Sequence, residues 1–78
     1  MIAYNRTNLQ GRAFRLVQVF GPVAQTSIRT GDGQQIIVNQ FIRDIGEAWH
    51  LWVLGAKIED AFHFLTPEER AFLQKGGA

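Results

Sequence analysis

The side chains with which this chain could do chemistry are few: His50 and His63, the carboxylate pairs Glu59-Asp60 and Glu68-Glu69, and the hydroxyls of Ser27, Thr7, Thr26, Thr30 and Thr66. His50 and His63 stand too far apart to place two ligands on one helical turn, and only Glu59 and Asp60 lie near the second, so no metal site is expected. Ser27 falls in an expected strand, away from the sharp strand-to-helix turn that presents a nucleophile. Neighbouring carboxylates on a helix point to different sides, so neither acidic pair forms a general acid and base over one substrate. Thr30-Gly-Asp-Gly lacks the Lys-Ser/Thr of a phosphate-binding loop, and Asp32 would repel phosphate there. The chain has no cysteine, which excludes thiolate sites and disulfides and fits a reducing interior. No catalytic residue, metal or cofactor is therefore expected, and the function to look for is binding.

Binding candidates come from charge and from aromatic content. Formal net charge is +1, from eight Lys and Arg against seven Asp and Glu, so the chain has no overall basic excess of the kind that duplex binders carry. The charges are nevertheless unevenly placed. Through residue 43 there are five arginines and one acid, Asp32; from Asp44 onward six acids face Lys57, Arg70 and Lys75. Arg12, Arg15, Arg29 and Arg43 are accordingly candidate contacts to acidic groups on a partner. With Tyr4, Phe14 and Phe20 they could alternatively form an Arg/aromatic surface that stacks bases. Arg15 would share a strand face with Val17 and Val19 and so sit half-buried. Trp49 and Trp52 lie on one helical side; they are core residues or, if either is exposed, the hot-spot anchor of an interface.

The elements that must position these residues follow from periodicity. Asp32-Gly33 is a tight-turn signal between segments 23–29 and 34–38, and the second ends in the β-branched run Ile36-Ile37-Val38; a β-hairpin is expected. Residues 9–20 are ambiguous. Leu9, Ala13, Leu16, Val17 and Phe20 make a helical face, Thr7-x-x-Gln10 could cap it and Gly21-Pro22 would stop it. The run from Phe14 to Phe20 is equally rich in strand formers, and as a strand it completes a three-stranded meander, which a lone hairpin needs for stability.

Beyond residue 38 the pattern is helical. Asn39 could cap a helix on which Phe41, Ile45, Ala48, Trp49 and Trp52 share a face, with Arg43 and Glu47 paired at i, i+4. Gly46 marks a break or a close contact within it, and Gly55 its stop. Ile58, Ala61, Phe62 and Leu65 repeat the helical spacing. Thr66-Pro67-Glu68-Glu69 reads as a capping box with proline in the first turn, opening a last helix that turns Phe72 and Leu73 inward and stops at Gly76-Gly77.

The C-terminal motif Trp52-x-x-Gly55-x-x-Ile58-x-Asp60-Ala61-Phe62-x-Phe64-Leu65-Thr66-x-x-Glu69-Arg70-x-Phe72-Leu73-x-x-Gly76 resembles the C-terminal part of small proteins encoded by tailed bacteriophages. In those, a Trp, a Gly and an Ile-Gln-x-Ala-Phe-Pro-x-Leu-Ser stretch lead into a Glu-Arg helix. The resemblance covers about a third of the chain. Glu59 stands where the pattern has Gln, and His63 where it has Pro. The cysteine pairs of those proteins, suggestive of a metal knuckle, have no counterpart here. The resemblance implies a phage or prophage source and attaches no activity.

A chain of 78 residues buries only about 60 to 65 per cent of its surface. Its nine aromatics are more than one such core is expected to hide, which points to a protein partner or a homodimer. The expectation is a single α+β domain over residues 1–78, β-rich or mixed over about 9–38 and helical over about 39–76. It would comprise an N-terminal hairpin or three-stranded antiparallel meander, then two or three short helices. Neither a secretory leader nor a membrane segment is expected, which suggests a cytoplasmic protein. Its function would be to bind and modulate, or inhibit, a host protein; nucleic-acid binding and a structural homo-oligomer are the alternatives.

Overall fold

The computed structural model describes residues 2–76. Four antiparallel strands, β1 (Ala3–Thr7), β2 (Ala13–Val19), β3 (Gln25–Thr30) and β4 (Gln35–Val38), form a meander in which each pairs with its sequence neighbours. Three helices follow: α1 (Ile42–Val53), α2 (Ile58–Ala61) and α3 (Pro67–Lys75). The α+β arrangement is thus as expected, with one strand more than the sequence suggested.

Residues 9–20 resolve as a turn and a strand. Alternation decides the outcome: Phe14 and Leu16 point to the helices, and Arg15 and Val17 to the opposite face. Pairing of Leu16 with Ile28, and of Ile28 with Ile36, stacks apolar side chains into one layer across three strands. Thr7 ends β1 and caps no helix.

Two hairpins use the same loop chemistry. Asn8 N–H donates to the Arg12 carbonyl (3.0 Å) and Gly11 N–H to the Asn8 carbonyl (3.1 Å); Thr30 N–H donates to Gln34 (2.9 Å) and Gly33 N–H to Thr30 (3.3 Å). Each is a three-residue loop with a glycine at positive φ, 81° at Gly11 and 92° at Gly33, where other residues are strained.

Helix α1 starts at Ile42, later than Asn39 would set it. Phe41 is its N-cap and offers no side-chain bond. Gln18 Oε1 instead accepts from the Ile42 N–H (3.2 Å), while Asn39 Oδ1 accepts from Gln25 Nε2 (3.0 Å). Phe41, expected on the buried face, therefore lies before the helix and is 58 % exposed. The far end of α1 closes as a Schellman motif: Gly55 N–H bonds to Trp52 O and Ala56 N–H to Leu51 O. The box at Thr66 forms in both directions, with Glu69 N–H donating to Thr66 Oγ1 and Thr66 N–H to Glu69 Oε1. Gly76 takes the left-handed C-cap, while Gly77 lies outside the described residues.

Trp49 sits at the centre of the core, 1 % exposed, with its ring edge-on to Phe14 (5.2 Å), Trp52 (5.5 Å) and Phe62 (5.9 Å). Such pairs contribute about 0.5–1.5 kcal/mol each beyond area burial. The indole N–H donates to the Thr7 carbonyl at 3.0 Å, tying the last residue of β1 to α1. Ile58, Ala61, Phe62 and Leu65 join the same core as their spacing implied, although α2 itself is a single turn. Leu73 is fully buried, and Phe72 packs half-buried against the core. All three helices cover one face of the sheet and leave the other open.

Candidate interaction surface

The candidate residues read from the sequence divide among four places. Trp49 and Trp52, 1 % and 3 % exposed, are core residues and cannot anchor a partner. Arg12 lies at the β1–β2 turn, beside Thr30, Asp32 and Gly76 in a shallow cleft. Arg43 is on the outer side of α1, in a groove between α1 and β1 lined by Tyr4, Arg6, Gly46, Glu47 and His50. Arg15 and Arg29 stand opposite one another on the open face of the sheet, and both are exposed, so Arg15 is not half-buried.

In the groove, Gly46 marks neither a break nor a close contact: α1 runs through it, and an ideal Cβ there would stand 3.7 Å from Arg6 Nη2, an ordinary van der Waals distance. The same guanidinium lies 5.2 Å from the centroid of the Tyr4 ring, a cation–π distance. Tyr4 is thus engaged at the sheet edge. Phe14, the second ring of the Arg/aromatic surface, is 2 % exposed in the core.

Ser27 Oγ donates to Gln35 Oε1 (2.9 Å) and accepts from Arg29 Nε (3.1 Å), so its partners are an amide and a cation. His63 is exposed with its ring edge-on to Phe64, and His50 is exposed on α1. Among the described residues no three His, Asp or Glu side chains converge as a metal would require. Asp32, in the β3–β4 loop, has its pKa lowered chiefly by the Thr30 hydroxyl, with the Gln34 backbone and the Arg12 charge assisting.

Exposed apolar side chains are spread over several parts of the surface, Leu9 (64 %) and Leu54 (70 %) among them, and one set gathers at one end of the molecule. There Ile2, Phe20, Val23 and Phe41, 47 %, 75 %, 56 % and 58 % exposed, gather around a shallow depression with Val19 and Pro22. Sequence reasoning missed this cluster because it placed Phe20 and Phe41 on element faces. The signal was present in Gly21-Pro22, which ends β2 and turns Phe20 out of the ladder. A smaller apolar group, Leu51, Val53 and Leu54, lies at the end of α1.

No family model, curated protein or solved structure matches this chain. Among the described residues no helix is long and apolar enough to cross a membrane.

Proposed function

We propose that this chain is a non-enzymatic binding module that docks a protein partner through its apolar end. The observation that carries this reading is the clustering of Ile2, Phe20, Val23 and Phe41, four large apolar side chains each about half exposed or more, beside the depression at the β2–β3 link. Contiguous apolar patches rimmed by polar groups mark interaction sites on soluble folds, and aromatic residues dominate their energetics. By analogy with a phage source, the partner is a protein of the bacterial host, whose activity the bound module would modulate or inhibit.

The nucleic-acid reading draws less support from the geometry. Of its proposed stacking rings, Phe14 is buried, Tyr4 lies under Arg6, and Phe20 belongs to the apolar cluster.

The test is capture from nuclease-treated bacterial lysate by the wild-type chain and by the doubly substituted Phe20→Ser/Phe41→Ser chain. Both side chains are exposed, so the variant should keep its fold. A stoichiometric protein retained by the wild type and lost by the variant supports docking through this end. Equal capture by both would refute it. Static light scattering at two concentrations separates the remaining occupant, a second copy of the chain, because self-association would raise the wild-type mass alone.

A further inference from the structure

The open face of the sheet carries a feature separate from the apolar end. Strand register places Asn5 opposite Arg15, Arg15 opposite Arg29 and Arg29 opposite Gln35, so the four form one row across β1, β2, β3 and β4. All four are exposed. Each contributes N–H donors, two from amides and two from guanidinium forks. At about 4.8 Å between strands the row spans roughly 14 Å.

Like charges directly opposite in a ladder destabilise a sheet, and nothing in this row offsets them. The one acid before residue 44, Asp32, is held in the β3–β4 loop by the Thr30 hydroxyl. The remaining acids are Asp44 and Glu47 on α1, Glu59 and Asp60 on α2, and Glu68 and Glu69 on α3, in the layer behind the sheet. The fold therefore separates a cationic open face from an acidic helical layer.

The arginines are also partly positioned. Arg29 Nε donates to Ser27 Oγ at 3.1 Å, and Ser27 Oγ donates to Gln35 Oε1 at 2.9 Å. One edge of the guanidinium is thereby fixed, leaving both terminal nitrogens for an external acceptor, and the Gln35 amide is turned to offer its own donors. A fork fixed in this way suits a carboxylate, which it can meet with two parallel bonds. In the adjacent row toward the apolar end, Ala3, Val17, Ser27 and Ile37, Val17 and Ser27 are buried and Ile37 is about half exposed, so one aliphatic side chain borders the donors.

We propose that the Asn5–Arg15–Arg29–Gln35 row binds the carboxylates of an acidic segment of the partner protein, while an aliphatic residue of that segment packs on Ile37. This rests on the reading that the chain binds a protein. A nucleic-acid strand fits the face less well, because no register position on it holds an aromatic ring for stacking and only two full charges are offered.

The experiment follows the Nε–Hε resonances of Arg15 and Arg29 by nuclear magnetic resonance at low salt. Hexaglutamate is titrated into the full chain, with hexaglutamine and hexathymidylate in parallel. The expected result is a saturable shift of both arginines with hexaglutamate, none with hexaglutamine, and weaker binding of hexathymidylate. Arg15→Gln/Arg29→Gln should bind hexaglutamate at least tenfold more weakly and stay folded, since relief of the opposed like charges offsets loss of the Arg29–Ser27 bond. A non-saturating shift, an unchanged affinity in the variant or tighter binding of hexathymidylate would overturn the proposal. If the arginine variant still captures the lysate partner while Phe20→Ser/Phe41→Ser does not, this inference fails and docking at the apolar end stands. If capture survives both substitutions, the docking reading fails as well.

Discussion

The side-chain amide of Asn8 donates to the backbone carbonyl of Leu73 at 2.9 Å, joining the first hairpin loop to the last turn of α3. Its Nδ2 also reaches Gln74 O (3.2 Å), and its Oδ1 accepts from Gln10 N–H and Arg12 N–H. One buried residue thus closes the β1–β2 loop and clamps it against two backbone carbonyls of the last turn of α3.

Replacing Asn8 by Ala is expected to destabilise the fold by about 3 kcal/mol, since buried groups left without partners cost roughly 1–3 kcal/mol each. Asn8→Asp should recover part of this, because the loop acceptor survives while the donor to α3 is lost. Urea unfolding of the three chains measures both effects. Equal stability of Asn8→Ala and wild type would remove the clamp from the account of the fold.

Trp52→Ala should cost roughly 3–5 kcal/mol, the range for truncating a buried aromatic. That is a large part of the stability of a domain this small, about 4–12 kcal/mol by size. Loss of partner binding in this variant would therefore report unfolding and not contact. Acrylamide quenching of wild-type indole fluorescence provides the check: both Trp49 and Trp52 should be protected until the chain unfolds.

Thr66→Ala removes the acceptor for the Glu69 N–H and should cost about 1 kcal/mol, whereas Thr66→Ser keeps the acceptor and should be close to neutral. Thermal melting distinguishes them, because about 1 kcal/mol corresponds to roughly 4–8 °C in a domain of this size.

Asp32 introduces a pH dependence of known sign. Its pKa is lowered in the folded chain, chiefly by the Thr30 hydroxyl, so its contribution is present above the ordinary aspartate value. That contribution is lost as pH falls through the lowered value. Relative to Asp32→Asn, the wild type should lose stability over this acid range and show no difference in slope near neutrality.

Much of the fold was legible because local chemistry and tertiary packing agree. Asp32-Gly33 marks a loop, Thr66 through Glu69 marks a cap, and Ile58, Ala61, Phe62 and Leu65 mark a packing face. Residues 9–20 were ambiguous because their apolar spacing fits a helix as well as a strand. The deciding signal is Asn8-x-x-Gly11, which matches Thr30-x-x-Gly33 in its hydrogen bonds and in the positive φ of its glycine. β1 escaped notice as a mostly polar edge strand, in which only Ala3 and Arg6 are even half-buried.

The surface was less legible, because it depends on register and on where elements end. Arg15 and Arg29 are separated by a turn whose length does not by itself fix which residues oppose. Phe41 becomes a surface residue only because α1 begins one residue after it. Trp49 and Trp52 look like hot-spot anchors by type, yet the first fills the core centre and the second packs against it.

The most direct test of docking at the apolar end is a photo-cross-link from a benzoylphenylalanine placed at position 20, with position 68 on α3 as the control. Phe20 is 75 % exposed in the apolar cluster, and Glu68 is exposed on the acidic layer behind the sheet. A nuclease-resistant protein adduct formed from position 20 and absent from position 68 is the expected result. An adduct from position 68 with none from position 20 would contradict it.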